Sequence, residues 1–133
     1  MIVKRQPPGG SDSSMHELSI AVRIIELVEQ EVTAAGGGQV QEVTLRVGSL
    51  AGVSVAALEF AFEQARQHTL AASATLSILE LPVQVYCPAC EVVAELVRVP
   101  PLACPRCGRP TADLRQGQEL ELESITLGET GGE

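Results

Sequence analysis

CPACEVVAELVRVPPLACPRC, residues 87–107, is the stretch on which the reading of the fold turns. It opens and closes with a Cys-x-x-Cys pair, Cys87/Cys90 and Cys104/Cys107, thirteen residues apart. Two thiolates two residues apart on a tight turn can take adjacent corners of one tetrahedron, and the second pair supplies the other two. Four sulfur ligands leave no position open for water, so the spacing predicts a structural Zn2+ site on Cys87, Cys90, Cys104 and Cys107. Between the pairs, EVVAELVRV is β-like and suits the short hairpins of a zinc ribbon. A redox pair and two disulfides are the rival readings. A redox cysteine favours a helix N-terminus, whereas a β-branched run follows Cys90.

Working outward, the cysteine module reads as an insertion in an α/β unit. Upstream, Leu18, Ala21, Val22, Ile25, Val28 and Val32 recur at helical spacing as one apolar stripe. Ser14 and Glu17 fit a capping box at the start of that helix, and AAGGGQ ends it. Val43, Leu45 and Val47 then alternate with Thr44 and Arg46, as in a half-buried strand. Ser54 can cap a second helix whose apolar face holds Val55, Leu58, Phe62 and Ala65. ATLSILELPVQVY reads as a second strand with a bulge or edge position near Pro82. After the cysteines, Leu120 and Leu122 alternate with Glu119, Glu121 and Glu123, and this last strand is expected to return to the first sheet. The expected fold is α/β: two helices on a small three-stranded sheet, in the order helix-strand-helix-strand…strand, with an inserted zinc-ribbon-like β-hairpin domain. The expected boundaries are a disordered leader at 1–14, the α/β domain at 15–84 and 115–128, the insert at 85–114 and a loose tail at 129–133.

Composition narrows the function. The chain has 133 residues, a net charge of −8 and no tryptophan. An acidic chain repels phosphate backbones. Within the cysteine module Glu91, Glu95 and Asp113 balance Arg98, Arg106 and Arg109, with Tyr86 as the lone aromatic, so no nucleic-acid partner is expected. No apolar run approaches a membrane span, and MIVKRQPPGG lacks the apolar region of a secretory signal. The expected compartment is the cytoplasm, where paired cysteines serve metals or redox chemistry rather than disulfides.

Two histidines are present. His68, in EQARQHT, reads as a residue at a helix C-terminus. His16 alone would be a polar residue in a helix's first turn. With a chain start at Met15, however, an amine, backbone amides and an imidazole could form the tetragonal nitrogen site that suits Ni(II) or Cu(II). No Ser/His/Asp or Cys/His constellation and no phosphate loop is present, so an enzyme is not expected.

MHELSIAVRIIELVEQ, then VTLRVGSLAGVSVAALEFAFEQA, then CPAC and CPRC together resemble the HypA/HybF hydrogenase-maturation nickel metallochaperones over about residues 15–127. The resemblance implies a nickel-binding α/β domain with an inserted zinc domain. It implies His16 as a ligand of transient Ni2+, joined by backbone nitrogens of Met15, His16 and Glu17, and structural Zn2+ on the four cysteines. It also implies the GTPase HypB and the [NiFe]-hydrogenase large-subunit precursor as partners, and delivery of nickel rather than catalysis. Homodimerisation stays open. Family members begin at the methionine matching Met15, which points to a misassigned start codon. Some relatives carry histidines beside the zinc knuckles, where this chain has Glu91 and Gly108. The alternatives are a zinc-ribbon protein-interaction adaptor that handles no nickel and a Cys-x-x-Cys oxidoreductase.

Overall fold

The computed structural model describes residues 16–128, with side chains from Glu17 onward. The expected leader and tail, Met15, Ser14 of the capping box and the His16 imidazole lie outside the described residues. Helix α1 (His16–Ala34) leads through glycines into strand β1 (Gln39–Gly48), followed by helix α2 (Val55–Ala65) and strand β2 (Thr75–Leu81). Strands β3 (Val83–Cys87), β4 (Val92–Leu96) and β5 (Leu114–Gln116) form a second sheet, and β6 (Leu120–Gly128) returns to the first.

The first sheet has the order β2-β1-β6. β1 and β2 run parallel, with Val43 beside Leu76 and Leu45 beside Ile78, as the two ends of a crossover through α2. On its other side β1 pairs antiparallel with β6, as expected from the alternation in β6. Val43, Leu45, Leu122 and Ile125 are buried against Ile24, Val28, Leu58 and Phe62 of the two helices. The opposite face of the sheet is polar. Arg46 lies 3.4 Å from Glu121 and 3.6 Å from Glu123 there. A register shift between Ser124 and Leu122 brings Leu122 and Ile125 to the same face despite their odd spacing.

The helices are parallel to each other. The Ser54 N–H donates to Glu17 Oε2 at one end, and the Leu70 N–H donates to Glu29 Oε2 at the other, both at 3.0 Å. Ser54 caps α2 as its sequence indicates, its hydroxyl accepting the Ala57 N–H at 3.2 Å. α2 ends at Ala65, and His68 lies beyond it, exposed, with a left-handed φ of 65°.

Two expectations need correction. The apolar stripe on α1 is rotated from the one read by spacing. Leu18 and Val22 stay 41% and 43% exposed, while Ile20, Ile24 and Leu27 join Ala21, Ile25, Val28 and Val32 in the core. Apolar residues cover a broad arc of α1, and spacing fixes the period of such an arc but not which of its edges meets the sheet. The second strand is two strands. Pro82 cannot donate to a ladder, and at that residue the chain leaves the first sheet and enters the second.

Candidate metal centre

The second sheet has the order β4-β3-β5, all antiparallel, over a core of Val83, Val85 and Leu96 with Val99, Leu102 and Leu114 against them. Its job is to hold two turns. β3 ends on Cys87, and the turn to β4 carries Cys90. The second turn, Cys104–Cys107, is closed by a bridge between Ala103 and Pro110.

The two turns repeat one geometry. The N–H of Glu91 donates to the Cys87 carbonyl at 2.7 Å, and that of Gly108 to the Cys104 carbonyl at 2.8 Å. The Cys90 N–H donates to Cys87 Sγ and the Arg106 N–H to Cys104 Sγ, each at 3.4 Å. The residue after each second cysteine is left-handed: Gly108 at φ 79° and Glu91 at φ 56°. Glycine takes that conformation freely, and glutamate does not. Glu91→Gly is therefore expected to stabilise the protein by about 1 kcal/mol, read as a higher thermal midpoint with unchanged metal content.

Among the described residues, these four cysteines form the one group able to hold a metal ion, with all sulfurs within 4.8 Å of one another. Cys87 Sγ lies 3.6 Å from Cys107 Sγ, and Cys104 Sγ 4.0 Å from Cys90 Sγ. A tetrahedral ion with metal–sulfur bonds of about 2.3 Å sets its ligands about 3.8 Å apart, so the donor set and its spacing fit. A disulfide needs sulfurs about 2 Å apart, and all four cysteines are free. Cys87 and Cys104 are buried, whereas Cys107 is exposed.

Crowding splits the thiols' proton affinities. Cys104 is lowered to about 7 because the Cys107 and Arg106 N–H groups donate to its sulfur, against the opposing effect of burial. Cys90 is pushed up to about 12, chiefly because its thiol proton is shared with the Cys107 sulfur. Metal binding must displace such protons, so affinity falls as pH falls.

Thr111 ties the module together, although nothing in its sequence context signals this. Its hydroxyl donates to the Tyr86 carbonyl at 2.7 Å and accepts the Asp113 N–H at 3.2 Å, while its own N–H reaches the Leu102 carbonyl. Nearby, Arg115 stacks 4.6 Å over the Tyr86 ring and pairs with both Asp113 oxygens. That guanidinium holds the Asp113 carboxyl below the usual carboxylate range.

The residues that the resemblance assigns to nickel lie elsewhere. His16 opens α1, and the Glu17 carboxylate accepts the N–H of the α2 cap. That long-range bond has no signature in local spacing.

Comparison with known proteins agrees with this architecture. Residues 15–127 match the family described as "Hydrogenase/urease nickel incorporation, metallochaperone, hypA". A relative named Hydrogenase maturation factor HypA in Chloroflexus aggregans is 42% identical over 111 residues, covering 84% of this chain and 97% of the relative. A relative of the same name in Synechococcus elongatus is 41% identical, covering 85% and 99%. The solution structure of the Ni metallochaperone HypA from Helicobacter pylori has a similar fold, with a TM-score of 0.60 at 23% identity over 84% of this chain and 96% of that one. The family match spans both sheets, the first residues of α1 and all four cysteines, and the chain belongs to the HypA family of hydrogenase-maturation metallochaperones.

Proposed function

We propose that the chain binds Ni(II) at the amino-terminal end of α1 and delivers it for insertion into the [NiFe]-hydrogenase large subunit, in concert with a HypB-type GTPase. The family match beginning at residue 15 carries this reading, because it takes in Met15-His16-Glu17. His16 supplies the imidazole, and backbone nitrogens of Met15, His16 and Glu17 complete a nitrogen-rich site. The first N–H groups of a helix have no acceptor within it, so those at His16 and Glu17 can give way to a metal without breaking the helical ladder. Such a site has the tetragonal geometry that suits Ni(II). The Glu17 carboxylate serves as a tether to the Ser54 N–H. A donor set at a helix end is open to a partner's ligands, so the chemistry is capture and handover, with no bond made or broken in a substrate.

Zn2+ on Cys87, Cys90, Cys104 and Cys107 completes the reading. Four thiolates saturate the ion, and its role is to fold the second sheet. Among the described residues no helix is long and apolar enough to cross a membrane. We place the chain in the cytoplasm with its hydrogenase precursor.

Calorimetric titration of Ni(II) into the zinc-loaded chain tests the site. His16→Ala is expected to weaken nickel binding at least about tenfold, since one of a few ligands is lost. Zinc content should stay unchanged. Wild-type affinity in the variant would overturn the assignment of His16.

A further inference from the structure

Two turns carry the four sulfurs, and each is closed on itself. The second is a hairpin in its own right. Its Cys104 N–H donates to the Arg109 carbonyl at 2.9 Å, and the Thr111 N–H donates to the Leu102 carbonyl at 3.1 Å. The first hangs from the end of β3, with the Glu91 N–H on the Cys87 carbonyl. A four-sulfur site needs more than two well-formed turns. The turns must also be set against each other, so that Cys87 Sγ stands 3.6 Å from Cys107 Sγ and Cys104 Sγ 4.0 Å from Cys90 Sγ.

The ladder between β3 and β5 stops short of the sulfurs. It pairs Gln84 with Gln116 and Val85 with Leu114, with a register shift between them. Past Val85 the join continues through Tyr86. The Tyr86 N–H donates to the Asp113 carbonyl at 2.8 Å, and the Tyr86 carbonyl accepts the Thr111 hydroxyl at 2.7 Å. That carbonyl and the Cys87 nitrogen belong to one planar peptide. A bond to the oxygen therefore orients the plane from which the Cys87 side chain departs. Thr111 itself stands at the foot of the hairpin that carries Cys104 and Cys107. One hydroxyl thus joins the peptide entering the first turn to the base of the second.

The hydroxyl is itself held in place. It accepts the Asp113 N–H at 3.2 Å, which turns its own proton toward Tyr86. The β-branched side chain has a restricted χ1. Thr111 is 8% exposed and is, among the described residues, the one buried residue that bears a hydroxyl, an amide or a charge. Removing its oxygen would leave the Tyr86 carbonyl and the Asp113 N–H without this partner.

The geometry points to Thr111 as a positioning residue for the resident ion: its hydroxyl, acting through the Tyr86–Cys87 peptide, presets the sulfur pairs across the two turns and so keeps zinc from leaving. The inference rests on the zinc reading above. A chain that hands over one metal must keep the other, and what separates the two is how firmly the donors are fixed. Sulfurs already held at tetrahedral spacing lose little freedom when the ion binds, so the ion is held tighter and leaves more slowly. Partners that orient metal ligands without touching the metal change its affinity by about 10–100-fold.

The test uses the full zinc-loaded chain and its Co(II)-substituted form. Co(II) in place of zinc gives visible absorption bands that report tetrahedral four-sulfur coordination. Zinc release is timed with an excess of a coloured chelator. Four proteins are compared. Thr111→Val keeps the shape and loses the hydroxyl, and Thr111→Ser keeps the hydroxyl. Leu96→Ala opens a cavity in the core of the same sheet and leaves the hydroxyl in place, and wild type is the reference. Thr111→Val is expected to release zinc about tenfold faster than wild type and to shift or weaken the Co(II) bands. Thr111→Ser should keep the wild-type bands and release zinc as slowly as wild type. Leu96→Ala should melt at a lower temperature with wild-type bands. Wild-type release and wild-type bands in Thr111→Val overturn the proposal. Equally fast release from Thr111→Val and Leu96→Ala, with unchanged bands in both, also overturns it, because that pattern is a general loss of stability. If Thr111→Val retains no metal, Thr111→Ser decides: wild-type bands there uphold the role of the hydroxyl, and loss of metal there too overturns it. A wild-type chain that takes up no zinc, or whose Co(II) form lacks the four-sulfur bands, overturns the zinc reading and this proposal with it.

Discussion

Cys104→Ser is expected to release the bound ion and unfold the second sheet while the first sheet stays folded. Cys104 is buried, its sulfur accepts the Arg106 N–H, and its backbone bonds to both Arg109 and Gly108. A hydroxyl there is a far weaker donor to a thiophilic ion, and three thiolates hold it less tightly. The sheet has little else to hold it. Its apolar core rests on three buried side chains, Val83, Val85 and Leu96. A unit below about 40 residues rarely folds without a metal or disulfides, and structural zinc supplies about 10–16 kcal/mol in small domains. Loss of several kcal/mol is therefore expected from this one substitution. Hydrogen exchange read along the chain separates the outcomes. Amides from Val83 to Gln116 should lose protection, and those of α1, β1 and α2 should keep it. A variant that keeps its metal and full protection in both sheets would sink the idea that the cysteines hold this module together. Acid should act in the same direction on the wild type, because each proton competes for a sulfur. Cys104, lowered to about 7, gives up its sulfur to a metal near neutrality, and Cys90, pushed up to about 12, is where protons compete hardest.

The parts of this molecule that were legible in its sequence are those written in short-range spacing. The two Cys-x-x-Cys turns, the Ser54 cap and the alternation of β1 each depend on residues within a few positions of one another. The parts that were not legible depend on contacts across the chain. Which edge of the α1 arc is buried follows from where β1 and α2 lie, so Leu18 and Val22 could not be told from Ile20 and Ile24 by period alone. Pro82 announces a break in pairing, but only the sheet topology shows that the strand continues into a different sheet. Glu17 carries a bond that no local pattern announces, its carboxylate accepting an N–H thirty-seven residues away. Thr111 and Gly48 carried no motif at all. The proposed nickel site rests on resemblance, since a histidine in a helix's first turn has no local pattern that separates a ligand from an ordinary polar residue.

Gly48→Ala is expected to destabilise the protein by about 3 kcal/mol while leaving the four-sulfur site loaded. Gly48 ends β1 at the place where the chain crosses between the two sheets. Its N–H donates to the Glu119 carbonyl at 2.7 Å, and the Leu50 N–H donates to the Gly117 carbonyl at 2.6 Å. The Ser49 N–H and hydroxyl both donate to the Leu81 carbonyl, just before Pro82. One short segment therefore holds both crossings, the outgoing one at Leu81 and the returning one at Gly117. A β-carbon on Gly48 would lie 2.2 Å from the carbonyl carbon and oxygen of Gly117 and 2.7 Å from the Gln118 nitrogen. These are backbone atoms fixed by the bonds just named, so no side chain can rotate out of the way. Gly117 cannot recede, because it has a φ of 136° and packs against Val83. The two segments must separate by an ångström or more, and the hydrogen bonds from Gly48 and Leu50 lengthen or break. The cysteines lie at and beyond the far end of β3, outside this strain, so metal stoichiometry should match wild type while the thermal midpoint falls by about 10 °C or more. This pattern is the reverse of that expected for Cys104→Ser, which loses metal first. An unchanged midpoint in Gly48→Ala would mean that the crossing opens freely, and that the two sheets are joined by little more than the covalent chain.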